Sequence, residues 1–318
     1  MIEVKDLVKK YGSHLAVDHL SFTLESGKIY GFLGPNGAGK STTMNIMTGY
    51  LGATQGSVLI DGHDILKEPE EAKKHIGYLP ELPPLYMDMT VQEYLEFAAE
   101  LKKLPKEKRE SDISEVMKLT RLQDVSGRLI KNLSKGYKQR VGLAQAILGF
   151  PEIIILDEPT VGLDPKQIIE IRELIRTLSK KHTVILSSHI LAEVREVCDY
   201  ILIISKGKLV ASDTPENLEL LRNGASSLEL EVKAAPETAR AILSTIDDID
   251  AMEMHSENEN LTRVKLETKN GADIREAVFY AFAEEKCPLL EMKTAKASLE
   301  DIFMELTQKE ESNDAGNL

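Results

Sequence analysis

Residues 34–41 read Gly-Pro-Asn-Gly-Ala-Gly-Lys-Ser. The spacing is G-x-x-x-x-G-K-S, a pattern suited to holding phosphate. A loop wrapped around phosphoryl oxygens must turn its backbone N–H groups inward, and glycine permits both the turn and the close approach. A helix starting at the end of the loop adds partial positive charge facing the anion. On this reading Gly34, Pro35, Asn36, Gly37, Ala38 and Gly39 form a phosphate cradle. Lys40 reaches the β- and γ-phosphates, and Ser41, with Thr42 beside it, offers a hydroxyl to Mg²⁺. A second pair of residues points the same way. Asp157 and Glu158 follow the apolar run 153–156. A carboxylate at the end of a buried strand can reach Mg²⁺ through water, and the next one can orient a water attacking the γ-phosphate. The blander alternatives are a glycine-rich hairpin with an incidental lysine and a solvated strand end.

The elements that must position these residues are legible in outline. Ile29 to Leu33 reads as a buried strand, and Met44, Ile46 and Met47 follow the loop on a helical pattern. Residues 1–25 read as two strands with a turn at 11–13; 56–62 and 76–80 are further strands around a short helix at 68–74. Residues 90–130 are helical, with Thr90 and Glu93 spaced as a capping box, and a further helix follows 131–140. Four apolar residues in a row at 153–156 suit a strand buried on both faces, as in parallel sheets. Helices at 165–179 and 190–197 alternate with strands at 183–186, 200–204 and 207–211. The alternation predicts an α/β sheet with its chemistry at the carboxyl edge. After a connection at 213–225, strand patterns at 228–232, 249–254, 261–267 and 289–293 alternate with helical ones at 236–246 and 273–285, and a helix at 298–306 ends the series. That order matches a ferredoxin-like split βαβ. The expected domains are therefore 1–222, with a helical insertion at about 90–145, and a small α+β domain at 226–308. A disordered tail at 309–318 completes the reading.

Composition bounds the partners. The length, 318 residues, suits about two domains. The net charge of −13 and a pI of about 5.2 argue against broad nucleic-acid binding. The two cysteines, Cys198 and Cys287, stand beside apolar segments and read as buried free thiols in a reducing compartment. There is no CxxC and no Cys/His cluster of the kind that signals zinc. No signal peptide is evident and no apolar run approaches 18 residues, so the expectation is a soluble cytoplasmic chain.

Taken together, the motifs resemble those of the nucleotide-binding subunit of ABC transporters, across roughly residues 1–220. Leu133-Ser-Lys-Gly-Tyr137 is similar to the family signature Leu-Ser-Gly-Gly-Gln. The resemblance implies a P-loop NTPase fold of the ABC type: a mixed core sheet, an antiparallel β subdomain and a helical insertion. It implies ATP and Mg²⁺ as ligands and a head-to-tail homodimer or heterodimer, in which Ser134 and Gly136 of one subunit cap the ATP held by the other. It implies that Tyr11 stacks on adenine, that Asp164 belongs to the loop linking the two sites, and that His189 is the switch histidine acting with Glu158. Ser41, Asp157 and Glu81 would be the metal residues. Tyr11 also reads as a core tyrosine, Asp164 and Ser134 as helix N-caps, and His189 as a structural histidine.

The family also implies an integral-membrane permease as partner, hence a peripheral position on the inner face of the cell membrane, and no nucleic acid. Departures from its pattern are Glu81 where glutamine is usual, Lys135 for glycine and Tyr137 for glutamine. Glu81 is a carboxylate that binds metal more strongly than an amide but repels an unscreened phosphate. Such variants, with the ending Ala297-Ser-Leu-Glu-Asp-Ile-Phe-Met-Glu-Leu306, resemble the bacterial ABC-2 exporter branch. The stretch from Leu82 to Met89 is either an exposed apolar partner site or a core-facing loop. The rival readings are a soluble ABC ATPase acting on ribosomes or DNA, and a nucleotide-gated scaffold without turnover.

Overall fold

The computed structural model describes residues 1–220, 227–258, 260–269 and 272–295. The chain divides into two compact units between Pro215 and Glu216. The first opens with β1 (Ile2–Tyr11), β2 (His14–Leu24), β3 (Ile29–Leu33), α1 (Lys40–Met47), β4 (Gln55–Ile60), β5 (His63–Asp64), α2 (Pro69–Lys74) and β6 (Ile76–Leu79). It continues through α3 (Val91–Leu101), α4 (Lys106–Leu119), α5 (Lys135–Ile147), β7 (Ile153–Leu156), α6 (Pro165–Ser179), β8 (Thr183–Ser188), α7 (Leu191–Val197), β9 (Tyr200–Ser205) and β10 (Lys208–Asp213). The helix α8 (Pro215–Leu220) begins at the division.

Two sheets organise this unit. One is antiparallel, in the order β2-β1-β4-β5. The other runs β10-β9-β3-β8-β7-β6 and is parallel except for β10 at its edge. Its central strands have no exposed face: all of β3, β7 and β8 is buried. A single core joins the sheets, with Leu7, Leu20 and Ile60 packed in one cluster with Phe32, Met44 and Ile155. Parallel pairing makes β3, β7 and β8 end at one edge, which carries Gly34, Asp157 and His189 forward into loops. The helical region at α3 starts as its sequence requires: Thr90 Oγ1 accepts from Glu93 N–H at 3.2 Å while the Glu93 carboxylate accepts from Thr90 N–H at 2.8 Å.

The second unit contains β11 (Ser227–Val232), α9 (Pro236–Leu243), β12 (Ile249–Asn258), β13 (Leu261–Thr268), α10 (Arg275–Glu284) and β14 (Leu289–Ala295). Its strands are antiparallel in the order β12-β13-β11-β14. Leu230, Val264 and Leu266 face Leu243, Val278 and Phe282 in its core.

Several local expectations need revision. Residues 215–220, expected as connection, form α8, for which Pro215 is a favourable first residue. The strand expected at 249–254 runs on to Asn258, because the polar residues there are rungs of a hairpin: Ser256 faces Thr262 and Asn258 faces Leu261. The helix expected to reach residue 246 stops at Leu243. Ser244 and Thr245 turn their hydroxyls back onto Arg240 and Ile242 carbonyls, which favours termination. Of the two cysteines expected to be buried, Cys198 is, whereas Cys287 is half-buried. The helix expected at 298–306 and the tail at 309–318 lie outside the described residues.

One contact in the helical region was not foreseeable from spacing. Lys102, at the end of α3, donates to the carbonyls of Ala146 and Leu148 at 3.0 and 2.8 Å. It thereby supplies the cation that the last turn of α5 lacks. Burial lowers the Lys102 pKa to about 8. Replacing Lys102 by Met keeps the stem and removes both bonds. The expected loss is about 2 kcal/mol in chemical denaturation, with faster amide exchange in the last turn of α5.

Candidate active site

The phosphate-type loop leaves β3 and enters α1 with its backbone bent by glycine. Gly39 has φ 103°, and a Cβ there would lie 2.5 Å from the Ala16 carbonyl. It is also the N-cap of α1, with no side chain capping the helix. The first turn of α1 carries no acidic residue, unlike those of α2 and α3. The N–H groups at this end are thus left for an anion. The loop is held from behind by Gly207 N–H, which donates to Ala38 O at 2.9 Å.

Lys40 is buried to 5 % exposure. Its ammonium donates to Gly34 O at 2.7 Å and Pro35 O at 3.2 Å and lies 3.9 Å from Glu158 Oε1. Burial pulls its pKa down, while Glu158, Asp157 and Glu81 push it up. Ser41 Oγ donates to Asp157 Oδ1 at 3.1 Å. Asp157 and Glu158 are both buried, which rules out a solvated strand end. Glu158 takes a left-handed backbone, φ 47°, that glutamate rarely adopts. His189 Nδ1 lies 3.0 Å from Glu158 Oε2, so a proton on that nitrogen makes a donated bond. Tyr11 is 49 % exposed and therefore not a core residue; Lys9 Nζ lies over its ring, 5.2 Å from the centroid.

These groups converge. A cavity of about 510 Å³ is lined by Tyr11, Gly37, Lys40, Glu81, Glu158 and His189, among others. Asn36, Ala38, Gly39, Ser41 and Thr42 also reach it. A second cavity, of about 810 Å³, shares Ser41 and Glu81 and adds Asp157, Tyr50 and Leu82. Gly34 and Pro35 act on the first cavity through Lys40. Three of the expected residues lie elsewhere. Ser134 is the N-cap of α5, its Oγ accepting from Tyr137 N–H at 3.4 Å, and does not line the cavity. Gly136 packs so closely on Gln167 of α6 that a Cβ would collide with its amide. Asp164 caps α6 by accepting from Gln167 N–H at 2.9 Å. Lys135 fills the space into which a side chain at Gly162 would project. The two loops that open α5 and α6 are thus one packed surface, reinforced by the Arg140–Glu170 ion pair.

The comparisons with known proteins agree on one family. Residues 17–161 match the ABC transporter model. The uncharacterised ABC transporter ATP-binding protein YhcH of Bacillus subtilis (strain 168) is 36% identical over 316 residues, spanning 96% of this chain and 96% of that protein. The chain belongs to the ABC transporter family. The bacitracin transport ATP-binding protein BcrA of Bacillus licheniformis is 35% identical over 308 residues, spanning 96% and 97% of the two chains. Among solved structures, the dimeric post-hydrolysis state of the ATP-binding cassette MJ0796 bound to ADP and Pi superposes with a TM-score of 0.62. It is 26% identical, over 67% of this chain and 98% of that one. The chain is an ATP-binding subunit of an ABC transporter and an ATPase. ABC subunits of this kind dimerise and work with a membrane permease. No helix among the described residues is long and apolar enough to cross a membrane.

Two supports of this ABC site escaped sequence reading. Ser187 Oγ donates to Asp157 Oδ1 at 2.6 Å and accepts from Glu158 N–H at 2.9 Å. It orients one carboxylate and fixes the backbone that aims the other. Glu193, buried on α7, accepts from Thr160 Oγ1 at 2.5 Å and from Ser188 Oγ at 3.3 Å. It ties the loop after Glu158 to the end of β8, next to His189. The usable signal was the apolar run 184–186 followed by two serines, Ser187 and Ser188, next to a histidine. Ser187→Ala should lower ATP turnover by about tenfold or more while leaving ATP affinity nearly unchanged, as read by steady-state hydrolysis and equilibrium nucleotide binding.

Proposed function

We propose that two such cassettes close head to tail over ATP and drive a separate integral-membrane permease, exporting its cargo. The observation that carries this reading is a division of labour. Lys40, Glu158 and His189 share one cavity, while Ser134 and Gly136 stand at the start of α5 outside its lining. The second half of the nucleotide enclosure then comes from the Ser134 loop of a second cassette, either another copy or a similar chain. The N-terminus of α5, which has no acidic residue in its first turn, suits a γ-phosphate. Two-fold symmetry would set the Ser134 loop of each cassette against the cavity of the other.

Within the closed pair, the loop from Gly34 to Gly39 and Lys40 bind the triphosphate, with Thr42 beside them. Tyr11 offers the ring face away from Lys9 to adenine. Glu158 accepts a proton from the attacking water and holds that water in line; His189 orients the Glu158 carboxylate and reaches the phosphate as it leaves. Asp164, in the loop against the signature, carries the state of one site to the other. The oxygen-only donor set of Ser41 and Asp157, already 3.1 Å apart, with Glu81 on the shared wall, fits Mg²⁺. Those three residues would hold the ion, which supplies charge neutralisation between the β- and γ-phosphates.

The permease docks at the larger cavity, beside which Leu82 and Tyr50 are 80 % and 82 % exposed. Apolar side chains this open in a groove suit a helix of a partner. Export rests on the likeness to BcrA, whose name assigns it bacitracin transport. The chain then works in the cytoplasm, on the inner face of the cell membrane through its permease. With a net charge of −13 it has no role on nucleic acid.

The test is Glu158→Gln. Turnover should fall about 10²-fold or more, and the variant should dimerise with ATP, as seen by light scattering. Undiminished hydrolysis removes Glu158 from its role; a variant that stays monomeric with ATP, even beside its permease, removes the head-to-tail closure.

A further inference from the structure

We propose that Asp61, His75 and Glu152 form a binding site for a zinc-class divalent cation, at the end of the core sheet opposite the nucleotide cavity. Each residue offers one ligand atom, and these atoms lie within 4.8 Å of one another. His75 Nδ1 is 3.2 Å from Glu152 Oε2. The residues are far apart in sequence and come from three elements. Asp61 lies in the β4–β5 turn, His75 is the C-cap of α2, and Glu152 immediately precedes β7.

The fold sets this meeting. His75 and Glu152 stand side by side because β6 and β7 are parallel and in register, Ile76 opposite Ile153. Ile153 N–H donates to the His75 carbonyl at 2.9 Å, which locks the two residues together. Asp61 is anchored by its own N–H, which donates to Met1 O at 2.8 Å, on a left-handed backbone of φ 48°.

His63 packs behind the ligand histidine. Its ring stacks on that of His75, centroids 6.2 Å apart and planes within 14°. Its Nδ1 is buried without a hydrogen-bond partner; the Glu68 carboxylate is 3.5 Å away, outside bonding geometry. The interactions now satisfying the trio are ordinary surface ones. Asp61 also faces the N-terminal ammonium at 3.7 Å, and Glu152 is largely exposed. Such pairs hold little energy and yield readily to a metal.

The donor chemistry selects the ion. Imidazole with carboxylates suits Zn²⁺ and its neighbours, which accept nitrogen and oxygen at about four positions. Mg²⁺ demands oxygen ligands in octahedral array and keeps its waters. The trio therefore does not compete with the ion at Ser41 and Asp157. The two ends of β7, Glu152 and Asp157, are about 16 Å apart at strand rise. An ion on the trio would clip the antiparallel sheet to the two strands whose other ends carry Glu81 and Asp157.

The experiment uses the full chain, free of any affinity tag and stripped by a chelator, titrated calorimetrically with ZnCl₂ in the absence of nucleotide. One saturable Zn²⁺ per chain is expected. Affinity should drop at least tenfold in His75→Ala and in the near-isosteric Glu152→Gln and Asp61→Asn, and should be unchanged in Ser41→Ala. The thermal midpoint of the wild type should rise with Zn²⁺ and not with equal Mg²⁺. X-ray absorption should show nitrogen of at least one imidazole. The proposal is overturned by the lack of saturable binding, by binding that survives Glu152→Gln and Asp61→Asn undiminished, or by binding lost in Ser41→Ala, which would place the ion at the nucleotide site instead.

Discussion

A buried ammonium without a full set of partners governs this structure. Lys40 has two carbonyls within hydrogen-bond reach and a carboxylate at 3.9 Å. Burial disfavours its charge, and Glu158, Asp157 and Glu81 counter that burial from three directions. A cation so placed is only tolerable beside fixed negative charge, and it is completed by an anion that brings more. The carboxylates around it must therefore be held apart from it and from one another. That is the work of Ser187, which takes one oxygen of Asp157 and the N–H of Glu158.

The sheet makes this arrangement possible at all. β3, β7 and β8 are parallel and buried throughout, so their carboxyl ends lie side by side and their loops open on one edge. A charged residue on any of these strands would have been stranded in the core. The charges come immediately after the strands end, at Asp157, Glu158 and His189. The left-handed backbone at Glu158 turns its side chain toward Lys40 and His189.

What could be read from the chain alone was whatever is contiguous. The glycine loop, the apolar run before Asp157 and the Thr90–Glu93 cap each carry their partners within a few residues. The alternation of β7, α6, β8 and α7 followed from apolar runs and helical periodicity. Tyr11 was ambiguous because exposure is a tertiary property; its ring stands open and beside the cavity. Contacts across the fold left no such trace. Ser187 meets a carboxylate 30 positions away, Lys102 reaches the carbonyl of a residue 44 positions on, and Glu193 meets Thr160 across 33. The cluster of Asp61, His75 and Glu152 has no spacing that a motif could encode, so no Cys/His pattern reveals it. In the second unit the hairpin β12–β13 outran its apolar pattern, because backbone pairing admits polar rungs as well as apolar ones.

The Glu193 brace has a mechanical consequence. Thr160 lies in the loop after Glu158 and Ser188 ends β8, and one carboxylate fastens both to α7. Any displacement that carries His189 away must drag the segment behind Glu158 along with it, or break a buried pair of hydroxyl contacts. Glu193 thereby makes the segment behind Glu158 and the end of β8 one braced unit on α7.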